Sequence, residues 1–204
     1  EVNCTDGSTT IQSSDCPFPL CTSSDQITVS PLNNAAVPTH LQENVISIFS
    51  DAYDNVSGTD FNPNWGQSGH GLANPSYDPG TGDLILSYTN FNYQGIQYSS
   101  QDISSMEYLH VDIWVDGTFD PRVFVISSGD EIPHTILNTE TNTWISADIP
   151  VEGITGDLTN TFQFKFDGGN GNTDAIYIDN LYFWKQNSPP PATVEVTFAL
   201  NTEL

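Results

Sequence analysis

Apolar residues recur at every second position in a series of short runs along this chain, broken by Gly, Pro, Asn, Asp and Ser, and no stretch long enough for a helix keeps a 3.6-residue period. A period of two places alternate side chains on opposite faces of a β-strand. The run "SSMEYLHVDIWV" (104–115) shows the pattern clearly. Leu109, Val111, Ile113 and Val115 form an aliphatic face, while Tyr108, His110, Asp112 and Trp114 form the other. A face that holds two large aromatics, an imidazole and a carboxylate is unusual for plain solvent contact.

The same alternation marks strands at 45–49, 84–89, 93–99, 106–115, 121–127, 134–137, 143–149, 161–167 and 175–184. Turn-forming residues separate them and no helix intervenes, which predicts an all-β fold. The expected architecture is a two-sheet antiparallel β-sandwich of jelly-roll type. Within the 204 residues, 43–186 is the expected sandwich. Residues 1–42, rich in Ser, Thr, Asp, Asn and Pro, suit a linker or the tail of a preceding module. Residues 187–204 hold a proline-rich spacer, "NSPPPAT", and a further alternating strand, "VEVTFALNTEL", expected to open a following module. Cys4, Cys16 and Cys21 all fall in the first segment. An exported protein can pair two of them, most simply Cys16 with Cys21. A metal site is disfavoured by the lack of a C-x-x-C pair or a nearby His.

Charge narrows the partners. With 26 acidic residues against 3 basic ones (Arg122, Lys165, Lys185), the formal net charge is −23. Such a surface repels phosphate backbones and anionic lipid, so nucleic acid and membrane surfaces are poor partners. No apolar run reaches the roughly 18 residues of a membrane-spanning helix. Strongly sulfated or carboxylated glycans are disfavoured too, and a neutral partner is expected. The scarcity of Lys and the abundance of Asn, Thr and Tyr suit an extracellular or cell-surface domain, one piece of a longer exported chain.

The polar strand faces suggest what that partner is. In "NTFQFKFDGG", Phe162, Phe164 and Phe166 alternate with Gln163, Lys165 and Asp167; in "NYQGIQYSS", Tyr93, Gly95 and Gln97 alternate with Gln94, Ile96 and Tyr98. Sugars offer apolar C–H faces to aromatic rings and hydroxyls to amides, carboxylates and ammonium groups. If strands 93–99, 106–115 and 161–167 share one concave sheet beneath the 61–70 loop, Trp65 and Trp114 become stacking platforms. Tyr93 or Tyr98 would be a third, the choice left open by Gly95, which can mark a bulge. Gln94, Asp112, Gln163 and Lys165 would supply hydrogen bonds. Rings across a sheet also serve simply as cross-strand partners, and Trp144 and Trp184 fit that role better. Trp65 lies in the loop "FNPNWGQSG", without a periodic partner, where a large aromatic calls for a reason.

Three segments carry a family resemblance: "NVISIFSDAYDNVSGTDFNPNWGQS", "LSYTNFNYQGIQYSSQDISSMEYLHVDIWV" and "FQFKFDGGNGNTDAIYIDNLYFWK". Together, over residues 44–185, the chain resembles a carbohydrate-binding module of the multimodular polysaccharide-utilisation proteins and glycoside hydrolases of marine Bacteroidetes. The resemblance implies a β-jelly roll that binds glycan without cleaving it, most often laminarin, a neutral β-1,3-glucan, with algal galactans as the alternative. It also implies a structural calcium between the first and last strands, for which Asp51 in "FSDAY" and Asp179 in "YIDNL" match by position. "DGGNGNTD" lacks the spacing and closing Glu of a calcium loop and suits a hairpin turn.

Catalysis finds no matching motif. Retaining laminarinases of this architecture place two Glu on one strand; here "HVDIWVDG" has His110 at the first such position. Glu107, Glu131 and Glu140 are scattered, and His40, His70, His110 and His134 are far apart. A structural or adhesion spacer in a surface protein is the competing expectation from a different class.

Overall fold

The computed structural model describes residues 29–66, 72–128, 131–169 and 174–186. Cys4, Cys16 and Cys21, the 187–204 segment, and parts of the 61–70 loop and the 167–174 turn lie outside the described residues. The strands are β1 (Val45–Phe49), β2 (Leu72–Tyr77), β3 (Ile85–Thr89), β4 (Tyr93–Gln101), β5 (Tyr108–Asp116), β6 (Arg122–Ser127), β7 (Pro133–Thr135), β8 (Trp144–Pro150), β9 (Thr161–Asp167) and β10 (Ala175–Trp184). Every ladder is antiparallel. The fold is a two-sheet β-sandwich of jelly-roll type. Sheet A runs β2-β3-β10-β5-β8, with β1 also paired to β10; sheet B runs β4-β9-β6-β7.

The aliphatic faces do what their alternation predicts. Leu109, Val111, Ile113 and Val115 from sheet A pack against Ile96, Val123, Val125, Phe164 and Phe166 from sheet B, all within one core cluster. Burying each such side chain contributes about 1.5–3 kcal/mol. β10 keeps its apolar side inward only because of a bulge. Ile178 pairs with Ile113 and the next partner pair is Leu181 with Val111, so Asp179 and Asn180 together face Asp112. The bulge returns Leu181 and Phe183 to the core and turns two polar side chains outward.

β2 is the strand the sequence hides, because Pro75 in "LANPSY" resembles a turn signal. It is an edge strand, and the register shifts between Asn74 and Tyr77, where a residue without an N–H costs the ladder nothing.

Residues 29–40 lie across the outer face of sheet A. Trp144 Nε1 donates to the Asn33 carbonyl at 2.8 Å, and Ala35 N donates to Asp179 Oδ2 at 2.7 Å. Tyr77 OH donates to Ser30 Oγ at 3.0 Å, and His40 stacks on Trp184 with ring centroids 4.0 Å apart.

Candidate functional site

The outer face of sheet B collects the chemistry. On β4 the outward positions are Tyr93, Gly95 and Gln97, which pair with Asp167, Lys165 and Gln163 of β9. Those in turn face Arg122, Phe124 and Ile126 of β6. Over this grid lies Trp65. A Cβ built on Gly95 would overlap Cη2 and Cζ3 of the indole and stand 2.8 Å from its Cζ2, so the six-membered ring rests on the bare β4 backbone. The loop is pinned there by reciprocal backbone hydrogen bonds between Asp60 and Gln97, at 2.7 and 2.9 Å. Gln97 Oε1 accepts from both Trp65 Nε1 and Gln163 Nε2, each at 3.4 Å. Trp65 nevertheless keeps 38% of its surface exposed, a large value for an indole seated on a sheet.

Two of the chain's three basic side chains meet on this face. Lys165 Nζ stands 3.7 Å above the centre of the Phe124 ring and pairs with Glu131. Arg122 Nε donates to Asp167 Oδ1 at 2.6 Å. Each cation is thus neutralised locally, and the face offers charge-assisted donors and acceptors with little net charge.

Of the sequence-predicted sugar contacts, Trp65, Tyr93, Gln163 and Lys165 lie on this one face. The other four do not. Gln94 and Tyr98 are 0% and 4% exposed and point into the core with Ile96, beneath the same sheet. Gly95 marks no bulge, since the β4 register shifts only between Gln97 and Gln101. Asp112 and Trp114 belong to β5, which sits in sheet A rather than beside β4 and β9, so the expected single sheet of three strands does not exist. Their side chains point away from the core on the far side of the sandwich, where residues 29–40 cover them.

Cover and hydrogen bonding explain the polar side of β5. Trp114 packs with Ile85, Ala175 and Tyr177, edge-on to the last at 5.3 Å and 85°. Asp112 accepts from Asn180 Nδ2 at 2.8 Å and from Ser146 Oγ, and faces His110 Nε2 at 3.3 Å. Burial pushes the Asp112 carboxyl up, but the bonds from His110, Ser146 and Asn180 outweigh it and hold the group below its usual range. His110 also meets Asp148 Oδ1 through Nδ1 at 2.9 Å and stacks on Tyr182. Burial opposes its charge, yet the two carboxylates win and its pKa is raised.

The predicted calcium ligands stand at the middle of β10, where β1 ends and β3 begins alongside it, beside a cavity of about 380 Å³ lined in part by Asp51, Asp83, Thr81 and Asn180. Asp51 Oδ2 accepts from Leu84 N at 2.8 Å. Asp83, which sequence reasoning missed, is pushed up to about 6 by burial, by its hydrogen bond with Asp51 and by repulsion from Asp179. Asp179 is likewise pushed up to about 6, first by burial and then by Asp112 and Asp51. Asp83 Oδ1 is buried without a hydrogen-bond partner. These are properties a hard cation would relieve, and oxygen donors are the ligands calcium takes. Among the described residues no three His, Cys, Asp or Glu side chains already converge at ligating distance. Carbonyl oxygens or water would have to complete such a site.

Sequence reasoning also missed Gly95, Gln97, Arg122, Phe124 and Glu131. The available signal was Gly95 itself, a glycine inside a strand, which marks either a bulge or a close approach. Its occupant comes from 30 residues earlier in the chain, and only folding brings them together.

No protein-family model matches the chain, and no curated protein matches it. Solved structures do. A mutant of a family 29 carbohydrate-binding module is 18% identical, over 68% of this chain and 89% of that one, with a TM-score of 0.45. A second family 29 variant, complexed with mannohexaose, is 18% identical over the same shares, 68% and 89%, with a TM-score of 0.46. A third, complexed with cellulohexaose, is 19% identical over 68% and 89%, with a TM-score of 0.44.

Proposed function

We propose that this domain is a non-catalytic carbohydrate-binding module that holds a neutral glycan on the outer face of sheet B. The observation that carries the proposal is Trp65, its six-membered ring seated against Gly95 and the side chain still 38% exposed amid amides and ion pairs. A pyranose ring stacked on that indole gains roughly 0.5–1.5 kcal/mol beyond the area it buries. Its equatorial hydroxyls would meet Gln97, Gln163, Lys165 and Tyr93 around the ring edge. Hydrogen bonds to charged partners add about 1.5–3 kcal/mol where water is excluded. The sheet is rigid, so little ordering entropy opposes binding.

Asp167 and Glu131, the carboxylates of this face, are each held by a cation. Both carboxylates are thus engaged in ion pairs, unlike the acid and nucleophile pair of a glycosidase. The preferred ligand is a neutral β-glucan, laminarin first, a choice that rests on the family resemblance in the sequence. The parent protein is proposed to be exported or cell-surface, with this sandwich covalently joined to other modules. No helix among the described residues is long and apolar enough to cross a membrane.

A structural calcium is proposed at Asp51, Asp83 and Asp179, remote from the glycan face. When bound it would supply charge neutralisation and hold the start of sheet A's cover in place, since Asp179 accepts the Ala35 N–H.

Titration calorimetry of the native protein and Trp65→Ala against laminarin tests the function. The expected affinity is micromolar to millimolar, about −4 to −8 kcal/mol, with at least a tenfold loss in the variant and an unchanged melting temperature. No heat with laminarin and clear binding to a sulfated galactan would overturn the ligand. No binding to any glycan in a panel would overturn the function and favour a spacer module.

A further inference from the structure

Resting on the glycan-binding role proposed above, we infer that Gly95 is a positioning residue: its missing side chain sets the height and tilt of the Trp65 platform relative to the polar side chains that grip a sugar's edge. The geometry is specific to this position. The built Cβ would overlap Cη2 and Cζ3 of the indole, and the third contact, to Cζ2, is 2.8 Å. All of these are ring atoms of one rigid plane, so a shift of one atom does not relieve the overlap. The whole indole would have to lift or swing away.

Height matters because of what surrounds the ring. Gly95 pairs with Lys165, and the neighbouring outward rows are Tyr93 with Asp167 and Gln97 with Gln163. With only backbone beneath it, the indole sits about one aromatic thickness above the sheet, near 3.5–4 Å. Gln97 Oε1 stands 3.4 Å from the indole Nε1 and 3.4 Å from Gln163 Nε2, so these amide tips lie beside the ring, with Lys165 in the next row of β9. A sugar stacked on Trp65 is placed between them rather than above them, so stacking and edge hydrogen bonds are made together. Raising the platform by a methyl group separates the two.

Gly95 has no other need to be glycine. It lies in the middle of β4 between residues paired in regular register, and its φ is not in the left-handed region. Alanine is accepted by a strand there, and glycine is weaker in that setting. A glycine kept for backbone conformation would sit at a turn, as Gly58, Gly66 and Gly82 do with φ of +74°, +76° and +85°.

The experiment is a double-mutant cycle of Gly95→Ala and Trp65→Ala, with calorimetric affinity for laminarin as the readout. Galactomannan and hydroxyethylcellulose serve in turn if laminarin is not bound. Acrylamide quenching of tryptophan fluorescence is measured in parallel on all four proteins. Gly95→Ala is expected to weaken binding about tenfold, to keep or raise the melting temperature, and to increase quenching. In the Trp65→Ala background the same substitution should change neither affinity nor quenching, because there is no ring left to displace. Equal losses of affinity with and without Trp65 would overturn the inference, as would unchanged quenching in Gly95→Ala. If the native protein binds none of the three glycans, the binding role fails, while the quenching arm still decides whether Gly95 seats the ring.

Discussion

Replacing Trp114 by Ala should damage stability and leave glycan affinity alone. The indole is 3% exposed and is packed among Ile85, Ala175 and Tyr177, with Tyr77 and Trp144 at the rim. It lies on the outer face of sheet A, opposite Trp65. Truncating a buried aromatic costs about 3–5 kcal/mol in transfer energy and cavity. For a domain of this size each kcal/mol moves the melting temperature by about 2–4 °C, which gives a fall of about 6–20 °C. Trp114→Phe, which refills part of the space, should lose a fraction of that. Melting is followed by circular dichroism, and calorimetry with laminarin is run well below the variant's transition. Both variants should bind as the native protein does. A Trp114→Ala protein that melts normally and loses affinity tenfold would refute the face assignment and put the ligand on sheet A.

Three further outcomes follow from the same geometry. His110 faces Asp112 and Asp148, stacks on Tyr182 and feels repulsion from His40, and its raised pKa means that the folded state holds the proton more tightly than the unfolded chain. The stability it contributes is full below the unfolded value near 6.5 and is lost as pH rises through the raised folded value; melting temperature should fall across that window, with a smaller fall in His110→Gln. If calcium binds at Asp51, Asp83 and Asp179, chelation lowers the melting temperature by the mass-action amount, about 2.7 kcal/mol at a hundredfold excess over Kd. Asp83→Asn should abolish that shift without changing glycan affinity, and a metal assay finding no divalent ion in calcium-prepared protein would refute the site. Lys165→Met removes the ammonium that sits over Phe124 and pairs with Glu131. Glycan affinity should fall about ten- to a hundredfold, the equivalent of one charged hydrogen bond, while the exposed ion pair costs little stability; unchanged affinity would take Lys165 out of the site.

Much of this was legible in the chain, and some legible signals were outweighed by chemistry. Alternation in "NYQGIQYSS" groups Gln94 and Tyr98 with Ile96, and the structure buries all three. Sugar-binding logic favoured the amide and the phenol, but a period of two admits no exceptions within a regular strand. The slip in "IYIDNLYF" likewise announces the β10 bulge, since Ile178 and Leu181 are both core and cannot be so in an unbroken strand.

Alternation is a local property of the backbone, so the order of residues alone assigns each regular strand its two faces and with them the all-β sandwich. Which sheet each strand joins, and what covers its outer side, is set by contacts between distant parts of the chain. β5 is hydrogen-bonded to β10 and β8, partners distant in sequence, and that pairing carries Asp112 and Trp114 away from β4 and β9. Residues 29–40 then shield one outer face, while Trp65 comes to rest on a glycine of the other. Two outer faces of a sandwich are built from the same kinds of residue, and their difference lies in long-range contacts that no local pattern encodes.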